Sequence, residues 1–255
     1  MVKKGIVDLV KMLKNIEGLE DLSMTTNGVY LKGCAQQLKA AGLDRINISL
    51  DTLRKERFKA ITGFDCFEDV FEGIEKALEV GLAPVKLNVV PMKGTNDDEI
   101  LDFARLTLKH PLIVRFIEFF HTNKRSNRLA GSLVASIAAK EKIISELGKL
   151  EPDLKIKGYG PAKYYSLKDA QGAIGFISGS SNNFCRSCNR IRVDCAGRVS
   201  PCLFSGGIYD ARSLLQEGSS EEKLVGEIKR IFNLKSRYTK DITVNRRVEM
   251  SSLGG

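Results

Sequence analysis

Three cysteines in one short stretch are the residues of this sequence best suited to chemistry. Cys185-Arg-Ser-Cys188 forms a C-x2-C pair, and Cys202 follows after thirteen intervening residues. A tight C-x2-C turn points two thiolates at one ion, and a third cysteine nearby turns a weak signal into a strong one. Three thiolates suit a [4Fe–4S] cluster with one iron left unligated, because a closed site takes four. Such an iron can bind a substrate atom, as the open position of a catalytic zinc does. Cys195 lies between Cys188 and Cys202 and offers the competing arrangement, a four-cysteine zinc ribbon serving as a nucleic-acid-binding module. Spacing alone leaves both open. Between the ligands runs Asn189-Arg190-Ile191-Arg192. Arginines two apart on an extended segment project to one side, where both can grip one polyphosphate.

The chain around these residues has 255 positions, 43% of them hydrophobic, which is enough apolar material for a sizeable core. A formal net charge of +9 points to an anionic partner, either nucleic acid or a phosphorylated small molecule. Six cysteines are too few for a disulfide scaffold at this length, and three within eighteen residues point to metal. Cys34 and Cys66 sit in or beside helical stretches and read as small hydrophobes. No run approaches ~20 apolar residues, so no membrane span is expected. Met1-Val-Lys-Lys-Gly5 leads into an amphipathic helix and not into a signal-peptide core. The expected compartment is the cytoplasm.

The elements that must position the site alternate. Ile6, Leu9, Val10, Leu13 and Ile16 repeat at helical spacing, and Leu22–Thr26 reads as a strand entering a turn at Asn27-Gly28. Helices are expected over Cys34–Ala41, Phe67–Val80 and Asp97–Leu108, and strands over Arg45–Leu50, Val85–Val90 and Ile113–Phe119. Strands separated by helices imply βαβ units and a parallel sheet, an α/β fold. Polar groups recur at the carboxyl ends of these strands: Thr25-Thr26-Asn27, Ser49 and Asp51, Pro91 and Lys93, Glu118. That is where α/β barrels keep their chemistry. Past Phe120 the pattern changes to a polar loop over His121–Arg128, a helix over Leu133–Leu147, and short strands with the cysteines from Lys155 onward. A late amphipathic helix, Leu224–Phe232, precedes the terminal Gly254-Gly255.

Taken together, the motifs resemble those of the GTP 3′,8-cyclase family of radical S-adenosylmethionine enzymes. They are Met24-Thr-Thr-Asn-Gly28, Asn47-Ile-Ser-Leu-Asp51, Ile61-Thr-Gly63, Val85-Lys-Leu-Asn88, Arg115-Phe-Ile-Glu118, Gly160-Pro-Ala-Lys-Tyr164, Gly175-Phe-Ile-Ser178, Phe184-Cys-Arg-Ser-Cys-Asn-Arg-Ile-Arg192 and Met250-Ser-Ser-Leu-Gly-Gly255. The resemblance implies a partial TIM-like (β/α)6 radical SAM barrel over residues 1–125 and a C-terminal iron–sulfur cluster and GTP-binding region over 126–255. It implies that Cys185, Cys188 and Cys202 hold a [4Fe–4S] cluster whose open iron meets the guanine of GTP. By motif position Thr25, Lys86, Arg190, Arg192 and Arg115 would contact GTP, and Ser49 would contact S-adenosylmethionine. Position 120, a methionine in the family and a second S-adenosylmethionine contact, is Phe120 here. Cys195 falls where the family has no ligand, which argues against a zinc ribbon and a nucleic-acid partner. The Gly254-Gly255 tail would reach into the active site. A homodimer is implied, with the product passed to cyclic pyranopterin monophosphate synthase in molybdenum cofactor biosynthesis.

One departure stands out. The family's C-x3-C-x2-C, which holds the cluster that cleaves S-adenosylmethionine, has no counterpart in these 255 residues. In barrel terms the first strands are missing and four strands with an open edge remain. The expectation is a fragment that is inactive alone, with S-adenosylmethionine and a second [4Fe–4S] cluster belonging to a full-length form. A truncated GTP-binding non-enzyme is the variant of that reading. A single-turnover assay of the 255-residue chain with reductant, S-adenosylmethionine and GTP is accordingly expected to release no 5′-deoxyadenosine, and detecting it would overturn the expectation.

Overall fold

The computed structural model describes residues 4–119, 130–156, 160–179, 188–202, 209–216 and 218–234. Phe120, the expected loop His121–Arg128, Cys185 and the Gly254-Gly255 tail lie outside the described residues. The described residues fall in two compact units. One lies within Met1–Phe119 and Ser132–Ser181, the other within Phe120–Gly131 and Asn182–Gly255.

In the first unit the four expected strands form: β1 (Ser23–Thr26), β2 (Arg45–Ser49), β3 (Val85–Val89) and β4 (Leu112–Ile117). They run parallel and adjacent in that order. The sheet does not stop at four strands. Three more, β5 (Glu151–Pro152), β6 (Lys163–Ser166) and β7 (Ala173–Ile177), extend it to seven in the order β1-β2-β3-β4-β7-β6-β5. β7 joins β4 as a fifth parallel strand, and β6 and β5 close the far side antiparallel. The α/β class and the largely parallel sheet agree with a partial (β/α) barrel. β1 forms an edge of the sheet.

Strand periodicity of two gives the sheet two unlike faces. Ile46, Ile48, Val85, Leu87, Val89, Leu112, Val114, Phe116, Ile174 and Phe176 all belong to the main buried core. Phe116 and Phe176 stack there with ring centroids 5.8 Å apart. Helices α1 (Ile6–Lys14), α2 (Leu31–Ala40), α3 (Lys55–Thr62), α4 (Phe67–Glu79), α5 (Ile100–Lys109) and α6 (Ser136–Leu147) supply the other half of that core through Leu31, Leu38, Phe58, Val70, Phe103 and Ile143. Each fully buried side chain of this size contributes about 1.5–3 kcal/mol. α4 packs closely on the start of α2 and the turn before it because Gly73 has no side chain: a Cβ there would lie 3.1 Å from Leu31 Cβ and 2.6 Å from the Gly28 carbonyl oxygen. α3 was not read from the sequence. Only Phe58 of its eight residues is buried, so its periodicity is too weak to stand out.

The segment after β3 is tied down by buried polar groups. Asn96 donates through Nδ2 to the carbonyls of Asp51 (2.6 Å) and Val90 (3.1 Å) and accepts from the Met92 amide (2.7 Å). Glu99, fully buried, accepts from Thr52 Oγ1 (2.7 Å) and the Leu53 amide (2.6 Å) and pairs with Arg57. These bonds fix the carboxyl ends of β2 and β3, the edge on which functional groups were expected.

The second unit is smaller. β8 (Arg192–Val193), β9 (Arg198–Ser200) and β10 (Tyr209–Asp210) form an antiparallel sheet in the order β10-β9-β8. α7 (Arg212–Gln216) and α8 (Glu221–Asn233) follow. Val199, Ala211 and Ile231 make its core, with Ile191, Tyr209 and Leu224 packed against them. Ser220 caps α8 by accepting from the Lys223 amide (3.3 Å).

Candidate functional site

On the face of the first sheet opposite the core, alternation places polar residues in rows. The register sets Thr25 beside Asn47 and Asn47 beside Lys86. One step further along, Ser49 meets Asn88, Asn88 meets Arg115, Arg115 meets Gly175 and Gly175 meets Tyr164. Four residues with an expected ligand role in this unit, Thr25, Ser49, Lys86 and Arg115, therefore share one face. Thr25 and Ser49 are exposed, whereas Lys86 is only 2% exposed and Arg115 is half-buried.

The cations on this face differ in their partners. Arg45 is held by Asp21 through Nε (2.8 Å) and Nη2 (2.5 Å), so its charge is largely cancelled. Lys86 Nζ instead donates to the Tyr164 hydroxyl (3.1 Å). Among the described residues no carboxylate pairs with it. Burial, then the neighbouring Arg45 and Arg115 charges, pull the proton affinity of Lys86 below that of an ordinary lysine, with Tyr164 opposing. Arg115 donates through Nε to Asn88 Oδ1 (2.8 Å) and through Nη2 to Asn47 Oδ1 (2.9 Å). Asn47 in turn donates through Nδ2 to Thr25 Oγ1 (3.3 Å) and the Met24 carbonyl (3.4 Å). A buried lysine and a guanidinium bonded to two asparagines thus lie on one face, an arrangement able to take an anion.

Gly175 makes room for this arrangement. A Cβ there would stand 2.9 Å from Tyr164 Cε1 and 3.1 Å from Arg115 Cγ. Gly175→Ala is expected to destabilise the chain by about 1–3 kcal/mol through overpacking. A thermal melt checks this, and an unchanged transition would contradict the packing.

In the second unit the cysteines lie about a β-hairpin. β8 and β9 pair in the register Arg192↔Ser200 and Val193↔Val199. The connecting turn is built on Asp194, whose Oδ1 accepts from the Ala196 amide (2.9 Å) and the Arg198 amide (3.0 Å). Cys195 is exposed in that turn, at the closed end, while Cys188 and Cys202 flank the open end. A four-cysteine zinc site would need Cys195 beside them, so the hairpin argues against it. Ser200 Oγ donates to the Cys202 carbonyl (2.9 Å) and shapes the bend after β9.

Arg192 is half-buried, and both Cys188 and Cys202 act on its charge. Burial, then the Arg190 guanidinium, lowers its proton affinity, and the two cysteines oppose this. The two thiols and both arginines are thus brought to one end of the hairpin. Soft thiolates are the donors an iron–sulfur cluster takes, so the described part of the donor set fits one. Cys185, the third expected ligand, lies outside the described residues, as does Phe120.

Asn47, Asn88 and Tyr164 stand in the sequence motifs, yet no role was read for them. The signal was a polar residue interrupting an otherwise apolar strand, Asn47 between Ile46 and Ile48 and Asn88 between Leu87 and Val89.

Two family profiles match the chain, and their boundary falls within the first unit, before β4. Residues 1–107 match the Radical SAM superfamily profile and residues 112–241 match the profile described as Molybdenum Cofactor Synthesis C. The chain is 48% identical over 224 residues to the GTP 3′,8-cyclase of Heliobacterium modesticaldum, covering 88% of this chain and 68% of that one. It is 41% identical over 256 residues to the GTP 3′,8-cyclase of Pelotomaculum thermopropionicum, and 42% identical over 255 residues to that of Thermodesulfovibrio yellowstonii. Those alignments span this whole chain and 79% and 78% of the relatives. With a parallel sheet that carries its cations on one face and a cysteine-flanked hairpin that follows it, the chain belongs to the GTP 3′,8-cyclase family, radical S-adenosylmethionine enzymes of molybdenum cofactor biosynthesis.

Proposed function

We propose that this chain binds GTP, which the full-length form would convert to 3′,8-cyclo-7,8-dihydro-GTP. There the ribose 3′ hydrogen passes to a 5′-deoxyadenosyl radical derived from S-adenosylmethionine, and the ribose carbon bonds to guanine C8. One electron from an external reductant with one proton completes the product. The 255-residue chain alone is expected to be inactive. The observation that carries the reading is the pair Lys86 and Arg115 on one sheet face, held by Tyr164, Asn47 and Asn88. Lys86 has no carboxylate partner among the described residues, and two cations side by side suit a polyanionic nucleotide. Thr25 adds a hydroxyl to the same face, and by motif position Arg190 and Arg192 would also contact GTP.

Cys185, Cys188 and Cys202 would hold a [4Fe–4S] cluster, which when bound offers the purine an iron that no protein side chain ligates. Ser49 and Phe120 would contact S-adenosylmethionine, and Gly254-Gly255 would approach the substrate. The division would run near residue 125, with the partial radical SAM barrel before it and the cluster and GTP-binding region after it. The work of the chain's own residues is to fix ribose and base in one orientation, because a radical abstraction is governed by positioning. Cytoplasmic location, a homodimer and transfer of the product to cyclic pyranopterin monophosphate synthase complete the reading. Among the described residues no helix is long and apolar enough to cross a membrane.

Equilibrium binding of GTP, with ATP as the comparison, to the anaerobically reconstituted chain tests the proposal. Saturable binding that favours GTP is expected, and no binding, or equal binding of ATP, would overturn it.

A further inference from the structure

We infer that Tyr164 is a positioning residue that acts on the substrate through Lys86, its hydroxyl fixing the direction of the buried ammonium from three strands away. The inference rests on the reading of this face as the GTP site and adds to it a residue that itself need not touch GTP.

Lys86 lies on β3 and Tyr164 on β6, with β4 and β7 between them. In sheet spacing that is about 14 Å, so both side chains must lie along the face to meet. Gly175 on β7, the register partner of Tyr164, leaves the path open: a Cβ there would stand 2.9 Å from Tyr164 Cε1. The tyrosine backbone is held as well, by its pairing with β7 and by its carbonyl, which accepts from the Asp153 amide (3.0 Å). The Lys86 ammonium is 3.1 Å from the hydroxyl and 5.1 Å from the ring centroid. The contact is therefore a hydrogen bond to oxygen and not a cation seated on the face of the ring.

An ammonium is a point charge with three donors on a flexible stem. One donor of Lys86 is used by Tyr164, and no other side-chain partner stands against it among the described residues. With the lysine only 2% exposed, that one bond sets where its remaining donors point. Burial disfavours its charge, as do Arg45 on β2 and Arg115 on β4, and Tyr164 on β6 opposes them. Removing the hydroxyl therefore leaves the ammonium both loosely aimed and easier to deprotonate. Phenylalanine does this while keeping the ring over Gly175.

The test uses Tyr164→Phe in the full 255-residue chain, reconstituted anaerobically, alone and combined with Lys86→Arg or Lys86→Met. GTP affinity is read by calorimetry from neutral to alkaline pH, with thermal melts to confirm folding. Tyr164→Phe should bind GTP about 3- to 10-fold more weakly at neutral pH, the range of an ordinary hydrogen bond. Its alkaline loss of affinity should begin about 1–2 pH units lower than in the wild type, the equivalent of a hydrogen bond to a charged group. In the Lys86→Arg background, where the guanidinium stays charged, Tyr164→Phe should leave the alkaline limb in place. In the Lys86→Met background it should change affinity by less than about twofold, because the group it acts through is gone. A tyrosine that only packed against Gly175 would leave the pH profile unmoved, since phenylalanine packs alike. An alkaline limb unmoved by Tyr164→Phe, or an equal affinity loss in the Lys86→Met background, would overturn the inference and leave the GTP reading standing. A wild-type chain with no GTP affinity would overturn both.

Discussion

Replacing Lys86 by methionine is expected to stabilise the fold while weakening GTP binding by about 10- to 100-fold, the range for hydrogen bonds to a charged group. Lys86 is almost completely buried and its bond runs to the neutral Tyr164 hydroxyl. Holding an ammonium there costs desolvation that no carboxylate repays among the described residues. Methionine fills a similar volume without that cost, and a gain of about 1 kcal/mol would raise the melting temperature by roughly 2–4 °C in a chain of this size. A site that sacrifices stability for function behaves this way.

The pH dependence follows from the same residue. Burial lowers the proton affinity of Lys86 in the fold below its value in the unfolded chain. Between the lowered folded value and the ordinary lysine value the unfolded state binds more protons, so stability rises with pH across that window. GTP binding needs the ammonium and falls as pH climbs through the folded value. Lys86→Arg should move the alkaline loss of affinity upward, because a guanidinium stays charged, and Lys86→Met should abolish it. Titrations of GTP affinity against pH for the three proteins check the assignment. Identical alkaline limbs would rule Lys86 out of the site.

The second large effect concerns the hairpin. Cys202→Ser removes a thiolate at its open end, and the variant should fold yet retain at least about tenfold less cluster after anaerobic reconstitution. Loss of even an outer-shell partner costs a metal site about 10- to 100-fold in affinity. Cys188→Ser should match it. Cys195→Ser is the informative control. Cys195 is exposed in the Asp194–Gly197 turn, at the opposite end of the ladder, so iron content should stay at the wild-type level. Equal losses in all three variants would revive the four-cysteine arrangement.

Much of the fold was legible in the residues because its signals are local. Ile46 and Ile48, or Leu87 and Val89, announce a buried strand face, and Gly42 and Gly81 mark helix ends. The carboxyl-end polar groups of β1 to β4 could be named for the same reason. What stayed hidden was pairing between distant segments. Nothing local in Ala173–Ile177 says that it joins β4 in parallel, since the partner lies some sixty residues away and the register is set by packing. Asn47 and Asn88 were visible as interruptions, but a polar residue in a strand gains meaning only when another strand brings Arg115 to it. The cysteine spacing pointed to a metal site but left the place of Cys195 open, because only the hairpin register puts that residue in the turn, away from the end that Cys202 follows.

The central claim is that the cysteine site belongs to a nucleotide-binding iron–sulfur enzyme of the GTP 3′,8-cyclase family. Iron and acid-labile sulfide analysis of the anaerobically reconstituted chain tests it most directly. The account predicts about four iron and four sulfide per chain, with broad visible absorption. A colourless protein that retains zinc in place of iron would contradict it.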